Sequence, residues 1–398
     1  MLSAIAARRH PDGGDTSRVD DAARDERRTS PIELLWDLVF VFAITQVTAL
    51  LSHDLSWAGF GRSMLVLALV WWAWSAFVWA ANAADDDSAL LRAVLMLGML
   101  LIFVAGLALP HAFGDESTLF AVTYAAVRFL HLALYAQASR QGNASWTAIS
   151  GFAATVAIGM ALLVAGSFAG DTLRIVLWTL AAAIDYAGPA WLTRERLAGL
   201  QYVAIAHFAE RYGLFVIICL GESIVAIGVG AGGRALDAPL VAAIVLGLLV
   251  TIAMWWIYFD RFAAAAEKRL RDHDEPVLAA ADAYSYLHLP LVAGIILFAV
   301  GAKLLIHDSS QPLSDAARFA LCGGAALYLV AHAAFQLRIA GERAWAKLAA
   351  AAGLLVVYTV SGGWAGWGVA AAACAVLGAL CLAEARAAAG DAEAVART

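Results

Sequence analysis

The chain has 398 residues, 63% of them hydrophobic and only 15% charged, with a mean hydropathy of +0.77. Soluble domains run nearer roughly 45–50% apolar and about 25% charged, so the composition excludes a soluble globular protein and implies an all-α, polytopic integral membrane protein. A net charge of -6 with no clustered basic face excludes nucleic acid as a partner.

Residues 1–30 mix arginines with acids and contain no apolar run. That pattern is not a signal peptide and is expected to be a disordered cytosolic tail, with Arg27 and Arg28 holding the first span's start inside. Twelve apolar runs of about 20 residues follow, near 32–51, 59–82, 90–112, 117–138, 146–168, 172–193, 212–231, 236–259, 286–306, 315–337, 344–361 and 364–384. The eleventh is short and Ala-rich, so the count lies between ten and twelve.

The first run opens with Ser30-Pro31-Ile-Glu33. Serine, then proline at the first helical position, then glutamate at the third, reads as a capping box, which gives Glu33 a structural explanation. Trp36 belongs to the same signature, and Asp37 lies one turn deeper, where a cap no longer accounts for it. Tryptophans 71, 72, 74 and 79 of the second run read as packing or lipid contacts before they read as a cage for a cation.

The fourth run has the clearest polar stripe. Tyr124, Arg128, His131 and Tyr135 are spaced i, i+4, i+7, i+11 and share one helical face. An arginine at that depth must face the bundle interior and find an anion. Asp37, Asp185 and Glu222 are its candidate partners, either in a static pair that locks helices or along a solute pathway. Asp185 sits in Ile184-Asp-Tyr-Ala-Gly-Pro189, where glycine and proline loosen the helix.

Residues 194–211 join the two halves of the chain and read as an amphipathic segment, with Glu210 and Arg211 where the seventh span begins. Glu222 lies 12 residues beyond Glu210, about 18 Å deeper at roughly 1.5 Å per residue. A carboxylate there is either a structural hydrogen-bond acceptor or a proton or ion carrier. Gly221 and Ser223 flank it, and small residues of this kind let helices approach closely. Residues 261–276 form the longest internal connection. Asp260 ends the eighth span after Trp255 and Trp256, an interfacial belt. His288 and His332 are lone intramembrane histidines, expected to be satisfied structurally. The four cysteines fall in apolar runs without metal spacing.

Of the 26 lysines and arginines, twelve spans with both ends inside place only Arg62, Arg174, Arg234, Lys303 and Arg318 outside and Arg128 within a span. That bias fits the positive-inside rule. Shifting the chain by 177 positions lays Glu33 over Glu210, Val39 over Val216 and Ala49 over Ala226, and Tyr124-xxx-Arg128 echoes Tyr328-xxx-His332. The expected organisation is therefore two parallel six-helix repeats, 31–193 and 212–384, joined by 194–211 and followed by a cytosolic tail at 385–398.

Two stretches, "SPIELLWDLVFVFAITQVT" and "HFAERYGLFVIICLGESIVAIG", closely resemble the bacterial low-temperature-requirement A (LtrA) family, and the resemblance runs from about Ser30 through the last span. It implies a multi-span protein of the bacterial inner membrane linked to growth in the cold, and it implies no chemistry. The residues themselves favour a secondary transporter or ion-coupled permease. Asp37, Arg128, His131, Asp185 and Glu222 are its substrate or ion-binding candidates. Glu33, Trp36, Tyr124, Glu210, Arg211, Gly221, Ser223 and His332 are signature or structural candidates. The alternative is a membrane-embedded enzyme or lipid-handling protein, for which intramembrane His and Glu could serve acid–base work. No Walker A, GxGxxG, His-Glu-x-x-His or Gly-x-Ser-x-Gly pattern occurs, so no cofactor or metal is expected and an enzyme is the weaker reading. The expected partners are the lipid bilayer and a small solute or ion, with the oligomeric state left open.

Overall fold

A computed structural model describes residues 29–83, 89–140, 146–189, 204–260 and 262–396. The tail around Arg27 and Arg28, most of the 194–211 join and Arg261 lie outside the described residues. Among the described residues thirteen helices make up the fold. They are α1 (Pro31–His53), α2 (Trp57–Ala83), α3 (Ala89–Ala108), α4 (Ser117–Arg140), α5 (Trp146–Ser167), α6 (Asp171–Ala187) and α7 (Ile205–Ala231). Then come α8 (Ala238–Phe259), α9 (Phe262–Arg271), α10 (Pro276–His307), α11 (Asp315–Ala340), α12 (Trp345–Val360) and α13 (Gly366–Ala396).

Each of the twelve apolar runs corresponds to one helix, and the charged α9 fills the longest connection. Among the described residues ten helices are long and apolar enough to cross a membrane; α12 is shorter, and the 17-residue α6 carries Arg174 and Asp185. Their starts follow local chemistry. Ser30 donates from its N–H and its hydroxyl to Glu33 Oε2 (2.9 and 2.8 Å), closing α1 at Pro31. Asp237 accepts from Leu240 N at the head of α8, and Ser314 from Ala317 N at the head of α11. Gly341, at φ 68°, ends α11 in the left-handed conformation.

The join differs from its expected form. Residues 205–211 are already the first turns of α7, so Arg211 lies inside the helix and is buried rather than standing at its entrance. At the other end, α13 continues through residues 385–396 as helix.

Helix α10 is the spine of the bundle. Every residue from Leu291 to Ala302 is buried, as a helix apolar on all sides requires. It packs on α7, α11, α1 and α2. Its contact with α11 has no room for side chains. A Cβ would stand 2.6 Å from Tyr328 N at Gly294, 2.3 Å from Leu321 N at Gly301, and 2.4 Å from Phe298 N at Gly324. The close approach expected around Gly221 is absent, since nothing lies within 4 Å of a Cβ there or at Gly228. The closest helix approach through small residues is instead that of α10 and α11.

Helices α1 and α7 lie side by side and run parallel. Their contacts, Glu33 to His207, Asp37 to Arg211 and Thr45 to Glu222, keep sequence separations of 174, 174 and 177 along both helices. A second correspondence joins the halves. Tyr124 on α4 donates to Leu69 O on α2, and Tyr328 on α11 donates to Met254 O on α8, both at 2.7 Å.

The bundle has two ends. One carries the starts of α1 and α7 and is tied by Arg338 to Asp282 (2.8 Å), Arg269 to Glu342 (2.5 Å) and Asn82 to Ala204 N (3.1 Å). At the other, Arg174 meets the Phe113 carbonyl and Arg318 pairs with Asp315 (2.9 Å). Exposed aromatics ring both ends: Trp255, Trp256 and Trp345 at the first, Trp57, Phe168, Trp364 and Trp367 at the second. Exposed Leu100, Leu107, Val229 and Val245 lie between. An apolar band between two aromatic girdles is the surface that a bilayer demands.

Candidate functional site

Three polar clusters are buried in the bundle, and a hydroxyl group of three residues links two of them.

The first joins α1, α2 and α7. Asp37 accepts from Arg211 Nη2 (2.6 Å), from Arg211 Nε (3.2 Å) and from Trp74 Nε1 (2.8 Å). Arg211 Nη1 also meets Glu33 Oε1 (3.0 Å), and His207 Nε2 lies 3.2 Å from the same oxygen. All four charged or titratable residues are at most 1% exposed. Ion pairs so deep hold only when each charge is hydrogen-bonded, and Asp37 and Arg211 meet that condition. Arg211 bridges two carboxylates, and His207 adds a contact to Glu33. Glu33 is thus both the cap of α1 and a partner of Arg211. Glu210, its counterpart under the sequence shift, is exposed and accepts from Thr29 N (3.2 Å). Trp36 packs beneath the cluster on Phe40 and Phe77 and fills the space over Gly98.

The second cluster is a cavity of ≈ 60 Å³ among α2, α4, α5, α6 and α10, with room for a few waters. The stripe on α4 faces it as expected: Tyr124, Arg128, His131 and Tyr135 are all buried. Arg128 Nη2 donates to Asp185 Oδ1 at 2.8 Å. Of the three partners weighed for Arg128, the structure selects Asp185. A tight α5–α6 contact presents it: a Cβ at Gly188 would stand 2.4 Å from Thr155 Oγ1, and one at Gly159 3.1 Å from Ala181 O. Arg128 Nε and Nη1, His131 Nδ1 and Asp185 Oδ2 have no hydrogen-bond partner among the described residues. Unpartnered buried polar atoms are rare in folded proteins and call for an explanation. Aromatic rings make the rest of the wall. Trp72 stacks on Tyr186 (4.0 Å between centroids) and lies 5.2 Å from Tyr286, while Phe152 stands beside His131 and Tyr135.

The hydroxyls of Ser75, Tyr212 and Ser285 form a closed triangle between these clusters, with sides of 2.7, 3.0 and 3.1 Å. Trp79 Nε1 donates to Ser285 Oγ (2.8 Å) and Trp71 Nε1 to Ser285 O (2.7 Å). Ser285 lies in a π-helical turn of α10, Ala281–Tyr286. Pro290 follows one turn later and has no N–H to give the helix, which favours such a widening.

The third cluster is small. Glu222 Oε2 accepts from Thr45 Oγ1 at 2.7 Å. No Lys, Arg or His pairs with it among the described residues, and the neighbouring Ser223 hydroxyl has no partner. The two lone histidines diverge. His288 is held by Tyr258 OH (2.8 Å) and Ala283 O (3.0 Å). His332 packs 3.9 Å from the Phe262 ring, and neither of its nitrogens has a side-chain hydrogen-bond partner among the described residues.

Sequence reasoning missed His207, Tyr212, Ser75, Ser285 and Thr45. Pro290 inside an apolar run was the one available signal, since it marks where α10 must deviate beside Ser285. Among the described residues no group of three His, Cys, Asp or Glu side chains is placed to hold a metal ion.

The family model described as "Bacterial low temperature requirement A protein (LtrA)" matches residues 28–382. A curated relative, "Uncharacterized protein RA0937" of Rhizobium meliloti (strain 1021), is 32% identical over 311 residues, covering 77% of this chain and 76% of that one. No solved structure matches significantly.

Proposed function

The chain belongs to the bacterial low temperature requirement A family, and within that family of membrane proteins we propose that it is a secondary transporter, an ion-coupled permease for a small solute. One observation carries the reading: the cavity walled by Arg128, His131 and Asp185, where Arg128 Nε and Nη1, His131 Nδ1 and Asp185 Oδ2 have no hydrogen-bond partner among the described residues. A pair serving only to lock helices would have its remaining valences satisfied by protein, because each unmet one costs about 1–3 kcal/mol. A solute that visits the cavity would satisfy them part of the time.

In this reading the solute binds between α2, α4, α6 and α10, and Glu222 carries the coupling proton or cation. Glu222 suits that task because a single hydroxyl holds it. Asp37 is fixed by three hydrogen bonds, and with Glu33, His207 and Arg211 it forms the joint between α1 and α7. The parallel course of those helices and the matched Tyr124 and Tyr328 bonds support two parallel six-helix repeats about an axis along the membrane normal. Alternating access is then rocking of one half on the other across the α1–α7 contact. The distribution of Lys and Arg supports an inner-membrane protein with both ends cytosolic. The cold-growth link is the family's and comes to this chain as part of the proposal.

The test is proton movement in proteoliposomes enclosing a pH-sensitive dye, with a panel of small solutes added outside. Solute-dependent proton entry is expected for the wild type and is expected to disappear in Glu222→Gln, with its thermal stability unchanged. Equal proton entry in both proteins would remove Glu222 from the coupling role. No entry for any solute, in two well-folded proteins, would set the permease reading aside in favour of a lipid-handling one.

A further inference from the structure

The cavity is specific about the charge of what it can hold. Arg128 and Asp185 are 2% and 1% exposed and neutralise each other through a single hydrogen bond. The wall is therefore dipolar without being charged. A solute with net charge would bring an uncompensated charge into a desolvated site, which is costly. A purely apolar solute would leave the free guanidinium and carboxylate valences unmet. A molecule with both signs on one short frame meets neither penalty. Its carboxylate can take donors from Arg128 Nε or Nη1, both without partners among the described residues. Its ammonium can reach Asp185 Oδ2, also without a partner among the described residues, beside Trp72 and Tyr286, which line the same cavity and offer aromatic rings for cation–π attraction.

We propose that this cavity binds a small free zwitterion, an amino-acid-like solute of glycine or alanine size with its ammonium and carboxylate a few bonds apart. The inference deepens the permease reading of the same site by naming its substrate class. A zwitterionic lipid headgroup has related chemistry. The ≈ 60 Å³ of space lined by five helices matches the size of the free solute, and the ligand panel below separates the two.

The test is titration calorimetry on the purified full-length protein in an uncharged detergent, with four ligands: glycine, acetate, methylammonium and short-chain phosphatidylethanolamine. Glycine is expected to bind saturably and at least about tenfold more tightly than acetate or methylammonium, because each half-ligand loses one charge-assisted contact. Asp185→Asn is expected to weaken glycine by about tenfold or more. A second variant, Trp72→Leu, keeps the ion pair and removes an aromatic face. It is expected to weaken glycine and methylammonium while leaving acetate unchanged, a pattern that misfolding cannot produce. Half-ligands binding as tightly as glycine would overturn the proposal. So would phosphatidylethanolamine binding without glycine binding, or no glycine binding by a wild type with a cooperative thermal transition. Binding and flux separate the two claims. Glycine binding without solute-driven proton entry would keep the ligand and remove the permease. Proton entry driven only by net-charged solutes, without glycine binding, would do the reverse.

Discussion

At the scale of single residues, burial decides which charges hold the fold and which are free to act. Arg211 bonds two carboxylates, and removing it would leave the buried Asp37 without its cation. Arg211→Met is therefore expected to cost about 3–5 kcal/mol of stability and to lower the melting temperature strongly in detergent. Restoration by the triple change Arg211→Met, Asp37→Leu, Glu33→Gln is the expected rescue, since it leaves no unpaired charge; a single variant as stable as the wild type would contradict the account. Glu222 has one partner and 7% exposure, so Glu222→Gln should melt within about 0.5 kcal/mol of the wild type. Sequence alone exposed much of this. The i, i+4, i+7, i+11 stripe named Arg128 and His131, and the loosened helix end named Asp185. Choosing Asp185 over Asp37 and Glu222 as the partner needed the packing of α5 against α6, which no spacing encodes. His207, Ser75 and Ser285 were invisible because each is unremarkable in an apolar helix until a second helix brings its partner.

At the scale of elements, two kinds of glycine separate. Gly221 stands in the family-signature stretch, yet a side chain there meets nothing. Gly301 faces the backbone of α11 at Leu321. Gly221→Ala should therefore be neutral or stabilising by about 0.5–1 kcal/mol, through lower backbone entropy in the unfolded chain. Gly301→Ala should cost about 1–3 kcal/mol. Melting curves of the two variants check the contrast, and equal loss in both would contradict the assigned α10–α11 contact. Each of the twelve apolar runs read from the sequence falls on a helix, because length and composition suffice for that. The sequence misjudged the start of α7 because His207 and Arg211 look like interface residues when read singly. Their partners on α1 make a helical interior of that turn.

At the scale of the molecule, the first and second halves of the chain share two contacts and differ in packing. Helices α1 and α7 meet in parallel, and Tyr124 and Tyr328 make matching bonds. Yet α10 is a buried spine lining the cavity, while α3, its counterpart in chain order, packs on α1 and α4 at the periphery. That difference sets α10, from the second half of the chain, against α2, α4, α5 and α6 at the cavity. The two-ended layout makes a topological prediction. In a cysteine-free background, single cysteines at Asp115 and Asp171 should react with an impermeant thiol reagent from one side of the membrane. Cysteines at Asp272 and Glu342 should react only from the other. Labelling of all four from one side would contradict the twelve-crossing arrangement.

The most direct measurement of the central claim is counterflow of labelled glycine into proteoliposomes loaded with unlabelled glycine. It reports passage through the protein without requiring knowledge of the coupling ion. The account predicts transient accumulation of label by the wild type and none by Asp185→Asn at equal protein content and with a cooperative melt. Absence of accumulation by the wild type across small amino-acid zwitterions and their half-ligands would contradict a solute pathway through this bundle.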